Sequence, residues 1–101
     1  MNPVTQINFL SIKPGKMDQF LEADRRYRAS TSLPKGVTSS RMYCSLDGAS
    51  IVRVTQYESI EAHDQVQQDE QLRQQIAILR PLVESSRPAL YEEAQTPEDA
   101  G

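Results

Sequence analysis

Between Val4 and Ile12 the side chains alternate with the two-residue period of a β-strand: Ile7 and Phe9 fall on one face, and Asn8, Leu10 and Ile12 on the other. Apolar residues on both faces predict a strand covered from both sides. Asn8 is then a buried amide that needs hydrogen-bond partners. A second alternating stretch, 37–45, sets Val37, Ser39, Arg41 and Tyr43 against Thr38, Ser40, Met42 and Cys44. Asp47-Gly48 follows, the usual signal of a two-residue hairpin, so a third strand over 50–58 is expected to return antiparallel beside the second. In that third strand Val52 and Val54 make one face apolar. Arg53, Thr55 and Tyr57 make the other polar and aromatic-tipped, and the strand runs into Ser59, a good helix N-cap.

Helical spacing governs the rest. Met17, Phe20, Leu21 and Tyr27 form one stripe over a helix near 15–31, which the turn Lys13-Pro14-Gly15-Lys16 introduces. Asp24 and Arg28 fall inside the stripe, either as an i,i+4 ion pair at its edge or with Asp24 pointing into a pocket. A second helix starts after Ser59, with Ile60, His63 and Val66 on one face. After a polar stretch, Leu72, Ile76, Leu79 and Val83 form an apolar seam read as core, and Pro81 ends or kinks that helix near Arg80. Ser85-Ser86-Arg87-Pro88 reads as a break, 89–94 as a short last strand, and 96–101 as a polar, disordered tail to a single domain spanning 1–95.

The resulting order, β-α-β-β-α-β, is the ferredoxin-like α+β arrangement, with both helices on one face of a four-stranded antiparallel sheet. The opposite face carries Ile7, Phe9, Val52 and Val54 and needs a cover, most simply a second copy of the chain in a homodimer. The 101 residues carry a formal net charge of −3 with no basic run, which argues against nucleic acid and anionic membrane as partners. The absence of a long apolar run or a signal-peptide layout leads to a cytoplasmic expectation. With one cysteine, Cys44, read as a small buried hydrophobe, and one histidine, His63, a zinc enzyme is not expected.

Ile7-Asn8-Phe9, Lys13-Pro14-Gly15-Lys16, Phe20-Leu21, Leu46-Asp47-Gly48, Gln56 to Ala62, and Pro88-Ala89-Leu90-Tyr91-Glu92 occur in an order and spacing that resemble the antibiotic biosynthesis monooxygenase family of dimeric α/β barrels. The resemblance covers residues 4 to about 95 and implies the same fold. Cofactor-free, quinone-forming members use an Asn on the first strand, an Asn on the third, and a Trp four residues later. Asn8 matches the first of these positions; Arg53 and Tyr57 occupy the other two. The haem-degrading branch is similar too, but its axial His position is Gln67 here, and His63 comes one helical turn early.

The resemblance therefore implies a monooxygenase without metal or organic cofactor, oxidising a phenolic or anthrone-like small aromatic with O2. A non-catalytic ligand-binding or accessory barrel is the alternative, and haem binding a further one. The candidate catalytic residues are His63, as the only side chain whose ordinary pKa lies near neutrality, with Arg53 and Asn8 as oxyanion donors. Tyr57 and Asp24 are the candidate substrate contacts.

Overall fold

The structure is a computed structural model, and it describes residues 2–94. The tail expected over 96–101 lies outside the described residues. Four strands, β1 (Val4–Ile12), β2 (Val37–Cys44), β3 (Ser50–Tyr57) and β4 (Val83–Tyr91), form one antiparallel sheet in the order β2-β3-β1-β4. Helices α1 (Met17–Ser30), α2 (Ile60–Val66) and α3 (Glu70–Leu79) supply the α layer. This is the expected ferredoxin-like α+β arrangement.

The strand faces divide by parity as the alternation predicts. Asn8 sits opposite Arg53 and Leu10 opposite Ile51, so these four share the helix-covered face. Ile7 pairs with Val54 and Phe9 with Val52 on the outer face. Under the helices, Ile12, Phe20, Ile51 and Leu79 form the buried core, with Leu10, Met17, Leu21 and Met42 packed against it. Phe20 enters this core because it stands in the middle of the apolar stripe of α1. Gln75, buried on α3, donates from its side chain to the Ala23 carbonyl of α1 and so ties the two helices together. No helix among the described residues is long and apolar enough to cross a membrane.

Several elements depart from expectation. The helix after Ser59 is two helices. Ser59 caps the first by accepting from the Ala62 N–H, and Asp69 caps the second by accepting from Leu72 N–H, so the chain stops and restarts across Gln67–Asp69. The last strand starts at Val83, not at 89, and takes in the Ser85–Pro88 stretch read as a break. It lies at the edge of the sheet, where a proline is tolerated. Val83 accordingly belongs to a strand and not to a helical seam, and of that seam only Leu79 is buried, Ile76 being exposed.

The β2–β3 connection is longer than the two residues expected. The Ser45 N–H donates to the Ser50 carbonyl around a loop of Leu46 to Ala49, with Gly48 at positive φ. Cys44, at the end of β2, is exposed rather than buried.

Candidate functional site

Along β3 the helix-covered side chains run Ile51, Arg53, Thr55, Tyr57. Ile51 is sealed in the main core, and Tyr57 is buried at the other end, near α2. Between those two plugs the sheet and the helices stand apart. The gap is a cavity of about 760 Å³, floored by Gln6, Asn8, Arg53 and Thr55 and roofed by Asp24, Tyr27 and Arg28 of α1 with Leu72 and Ile76 of α3. Apolar walls with a few polar groups converging from the floor are the usual constitution of a small-molecule site.

The central polar feature is a carboxylate shared by two guanidiniums. Arg28 Nε donates to Asp24 Oδ2 at 2.8 Å, and Arg53 Nη2 donates to Asp24 Oδ1 at 2.7 Å. Asp24 is therefore both the ion-pair partner of Arg28 and a wall residue of the cavity, so the two readings of its place in the stripe hold together. Only 4% of the Asp24 side chain is exposed, against 22% for Arg53 and 42% for Arg28. Arg53 spends only part of its donor capacity here. Nη2 also lies 3.4 Å from Met42 Sδ, while Nε is buried with no hydrogen-bond partner.

Asn8 stands opposite Arg53 in the register, and its side-chain oxygen accepts from the Ser86 hydroxyl at 3.0 Å. The Asn8 amide nitrogen remains as a donor on the cavity floor. Tyr57 closes one end of the space. Burial, the main cause, pushes its phenol above the ordinary value, with the Gln67 side chain and Arg53 pulling the other way. Burial also pushes the Tyr27 phenol up, Asp69 adding to the effect.

Four of the five candidate residues, Asn8, Asp24, Arg53 and Tyr57, thus line one cavity. His63 does not. Its ring sits edge-on against Tyr57, with centroids 5.1 Å apart, and its Nδ1 lies 3.0 Å from Asp64 Oδ1. One turn into α2, the imidazole reaches the far side of the Tyr57 ring instead of leaning over it into the cavity. The wall residues that pattern reading assigned to core are Leu72, Ile76, Leu79 and Val83, all of which border the space. A further wall, Thr31 to Pro34, comes from the loop after α1, where no periodicity signals a role.

Gln67 borders the cavity at the position where the resemblance to the haem-degrading branch implies an axial His, and His63 is not among the lining residues, so the wall carries no imidazole.

A family model described as antibiotic biosynthesis monooxygenase matches residues 3–77. Among solved structures, SnoaB from Streptomyces nogalater, a cofactor-independent oxygenase, is 19% identical and superposes with a TM-score of 0.82 over 96% of this chain and 98% of that one. A conserved protein from Methanosarcina mazei is 14% identical, with a TM-score of 0.82 over 93% of this chain and 95% of that chain. A Mycobacterium tuberculosis protein is 19% identical, with a TM-score of 0.79 over 94% and 98% respectively. At these identities the likeness to the solved structures is one of fold. No curated protein matches the sequence.

Proposed function

The chain belongs to the antibiotic biosynthesis monooxygenase family, and on that premise we propose that it is a cytoplasmic, cofactor-independent monooxygenase that oxidises a phenolic or anthrone-like aromatic with O2. The observation that carries this reading is the cavity of about 760 Å³ with Asn8 and Arg53 side by side on its floor. It is large enough for a fused-ring aromatic, and its polar donors converge from one side.

In this reading the bound aromatic reacts as its enolate or phenolate. Arg53 and the Asn8 amide hold the anionic oxygen, Tyr57 closes the end of the ring slot, and Asp24 fixes the Arg53 guanidinium. The electron-rich carbon passes one electron to O2, and the two radicals combine to form a C–O bond. Cleavage of the O–O bond then leaves a carbonyl on the ring and releases the second oxygen atom as water. A ring CH2 and one O2 become C=O and H2O. His63 acts through Tyr57 as a positioning residue.

We further propose that the outer sheet face is closed by a second copy of the chain. Support comes from its apolar centre, where Phe9 is 49% and Tyr43 52% exposed in the single chain.

Oxygen uptake by metal-free protein, with chelator present, across a panel of anthrones and hydroquinones tests the enzyme reading. Arg53→Ala is expected to slow uptake by about 100- to 1000-fold, the usual loss for one oxyanion donor. A non-catalytic binding barrel is the second reading, favoured because Asp24 already engages Arg53. Tight binding of a panel member with no oxygen uptake would establish it.

A further inference from the structure

We propose that the cavity has a second, uncharged oxygen-binding place at Thr55 and Gln6, and that its ligand is a fused-ring phenol carrying another hydroxyl or carbonyl across the ring system from the first. The proposal rests on reading the cavity as the site of a phenolic aromatic whose first oxygen meets Arg53 and Asn8, and goes on to say what the other end of that ligand carries.

The first observation is the spacing of the floor. On the antiparallel pair β1 and β3, Asn8 stands opposite Arg53 and Gln6 opposite Thr55. All four line the cavity. Ile51 is sealed in the core at one end and Tyr57 is buried at the other, so these two pairs are the polar rungs of the floor between them. Directly opposed strand side chains have Cβ atoms about 4.5–5.5 Å apart, close enough for both members of a pair to reach one ligand atom. Side chains two apart on the same strand face are about 6–7 Å apart. The two rungs therefore address two atoms separated by a ring or more, and a cavity of about 760 Å³ holds a fused-ring molecule that spans them.

The second observation is unused hydrogen-bonding capacity. Other polar side chains of these strands pair with one another. Ser39 Oγ donates to Gln56 Oε1 at 2.9 Å, and Ser86 Oγ donates to Asn8 Oδ1 at 3.0 Å. Among the described residues, no protein group pairs with the Thr55 hydroxyl or the Gln6 amide. Thr55 is a buried residue, yet its hydroxyl, unlike Arg53 Nε, is not cut off from the cavity space. A hydroxyl and an amide each both donate and accept, so together they receive either a ligand hydroxyl or a ligand carbonyl.

The third is the difference in charge between the rungs. The first contains a guanidinium, which Asp24 holds from α1. The second continues to Ser40 on β2 and Leu90 on β4, and none of its four side chains is charged. Tyr57, the next side chain along this face of β3, is a phenol that burial keeps in its neutral form. A charged group set down there would lose water without gaining a counter-ion, whereas a neutral oxygen exchanges water for Thr55 and Gln6. The floor thus distinguishes the two ends of its ligand.

The test is equilibrium dialysis of the full chain, under nitrogen, against 1-naphthol, 1,5-dihydroxynaphthalene and 1,8-dihydroxynaphthalene. The 1,5 isomer carries its hydroxyls on opposite edges of the ring system and the 1,8 isomer carries them side by side, so of the two only the former spans both rungs. It is expected to bind about 3- to 10-fold more tightly than either other compound, the gain that one neutral hydrogen bond supplies. Thr55→Val keeps the branched shape and Gln6→Met keeps the length; each is expected to reduce that advantage and to leave the Kd of 1-naphthol unchanged. If one variant fails to fold by circular dichroism, the isomers on wild type and the other variant decide the matter. The proposal is overturned if the three compounds bind equally, as they would over a rung that serves only water, if the 1,8 isomer matches the 1,5 isomer, or if the advantage survives both variants. In those outcomes the cavity still takes a phenol and the monooxygenase reading stands. If none of the three binds, the proposal falls together with the reading on which it rests. A 1,5 preference without oxygen uptake keeps the second place and removes only the oxygen chemistry.

Discussion

Asp24 Oδ1 lies 2.7 Å from Arg53 Nη2, so a contact between residues 29 positions apart joins α1 to the middle of the sheet across the cavity. Asp24→Asn keeps the shape of the side chain and removes the charge that both arginines share. Removing one partner of a fully buried ion pair costs about 3–5 kcal/mol. Arg53 and Arg28 retain partial access to water, so a loss of about 1–3 kcal/mol is expected, read as a lower urea midpoint. Arg28→Ala, at the exposed end of the network, is expected to cost less than about 1 kcal/mol. Equal losses from the two variants would mean that the Arg53 contact contributes nothing to stability.

Gly36 sits at φ +92°, and a Cβ added there would stand 2.7 Å from the Ala62 Cβ. Its carbonyl also accepts from the Glu58 N–H, which pins the start of β2 against the end of β3. Gly36→Ala therefore meets two penalties, the left-handed backbone and the clash with α2. The backbone term alone is about 1–3 kcal/mol. In an Ala62→Gly background the clash disappears and the backbone term stays. A double-mutant cycle by urea denaturation should show a favourable coupling of more than about 0.5 kcal/mol. Zero coupling would place the whole cost in the backbone.

Strand parity made much of the site legible beforehand. Because strand side chains alternate, Arg53 and Tyr57 had to share a face, and the register then brings Asn8 opposite Arg53. Asp24 was visible as a charge within an apolar stripe. Its second partner was not, because which strand residue meets a helix depends on helix placement and not on local spacing. His63 failed for the same reason: one turn past Ser59 fixes its place on α2, while the orientation of α2 decides that it meets the back of Tyr57. The split between α2 and α3 had a readable signal in Asp69, followed three residues later by Leu72, the spacing of an N-cap and its first turn. The early start of β4 had none. Val83 fits a helical seam as well as a strand, and Pro88 reads as a breaker unless the strand is known to lie at an edge.

Burial raises the Tyr57 phenol above its ordinary value of about 10, so folding favours the protonated form. For an acid with a raised folded value, the native state holds its proton after the unfolded chain has lost it. The stability tied to the neutral phenol is thus fully present below the unfolded value and is lost as pH rises through the folded one. Phenolate absorbance in an alkaline titration is expected to include late components from Tyr27 and Tyr57, of which Tyr57→Phe removes one and Tyr27→Phe the other. Tyr57→Phe should also lose less stability than wild type on moving to alkaline pH. A late amplitude unchanged in Tyr57→Phe would show that Tyr57 contributes none of it.

The outer sheet face supplies a sharper test of assembly. Val52 stands between Phe9 on β1 and Tyr43 on β2, at the centre of a surface that also carries Ile7, Val54 and Tyr91. Sheet-to-sheet packing would bury these side chains at roughly 25 cal/mol per Å² of apolar surface, offset in part by the cost of association. Sedimentation equilibrium at micromolar concentration is expected to give twice the chain mass of 11.4 kDa. Val52→Asp places a carboxylate at the middle of the contact, with apolar neighbours on both flanking strands. Phe9→Asp is a weaker probe, because Arg87 lies directly across from it on β4 and can neutralise the charge. Val52 belongs to the face away from the core, so the single chain keeps Ile12, Phe20, Ile51 and Leu79 intact and should still fold. The expected result is dissociation to monomer with an unchanged circular dichroism spectrum, corresponding to a weakening of about 100-fold or more, roughly 3 kcal/mol. A wild-type chain that sediments as a monomer, or a Val52→Asp variant that dimerises as well as wild type, would leave the outer face without the partner proposed for it.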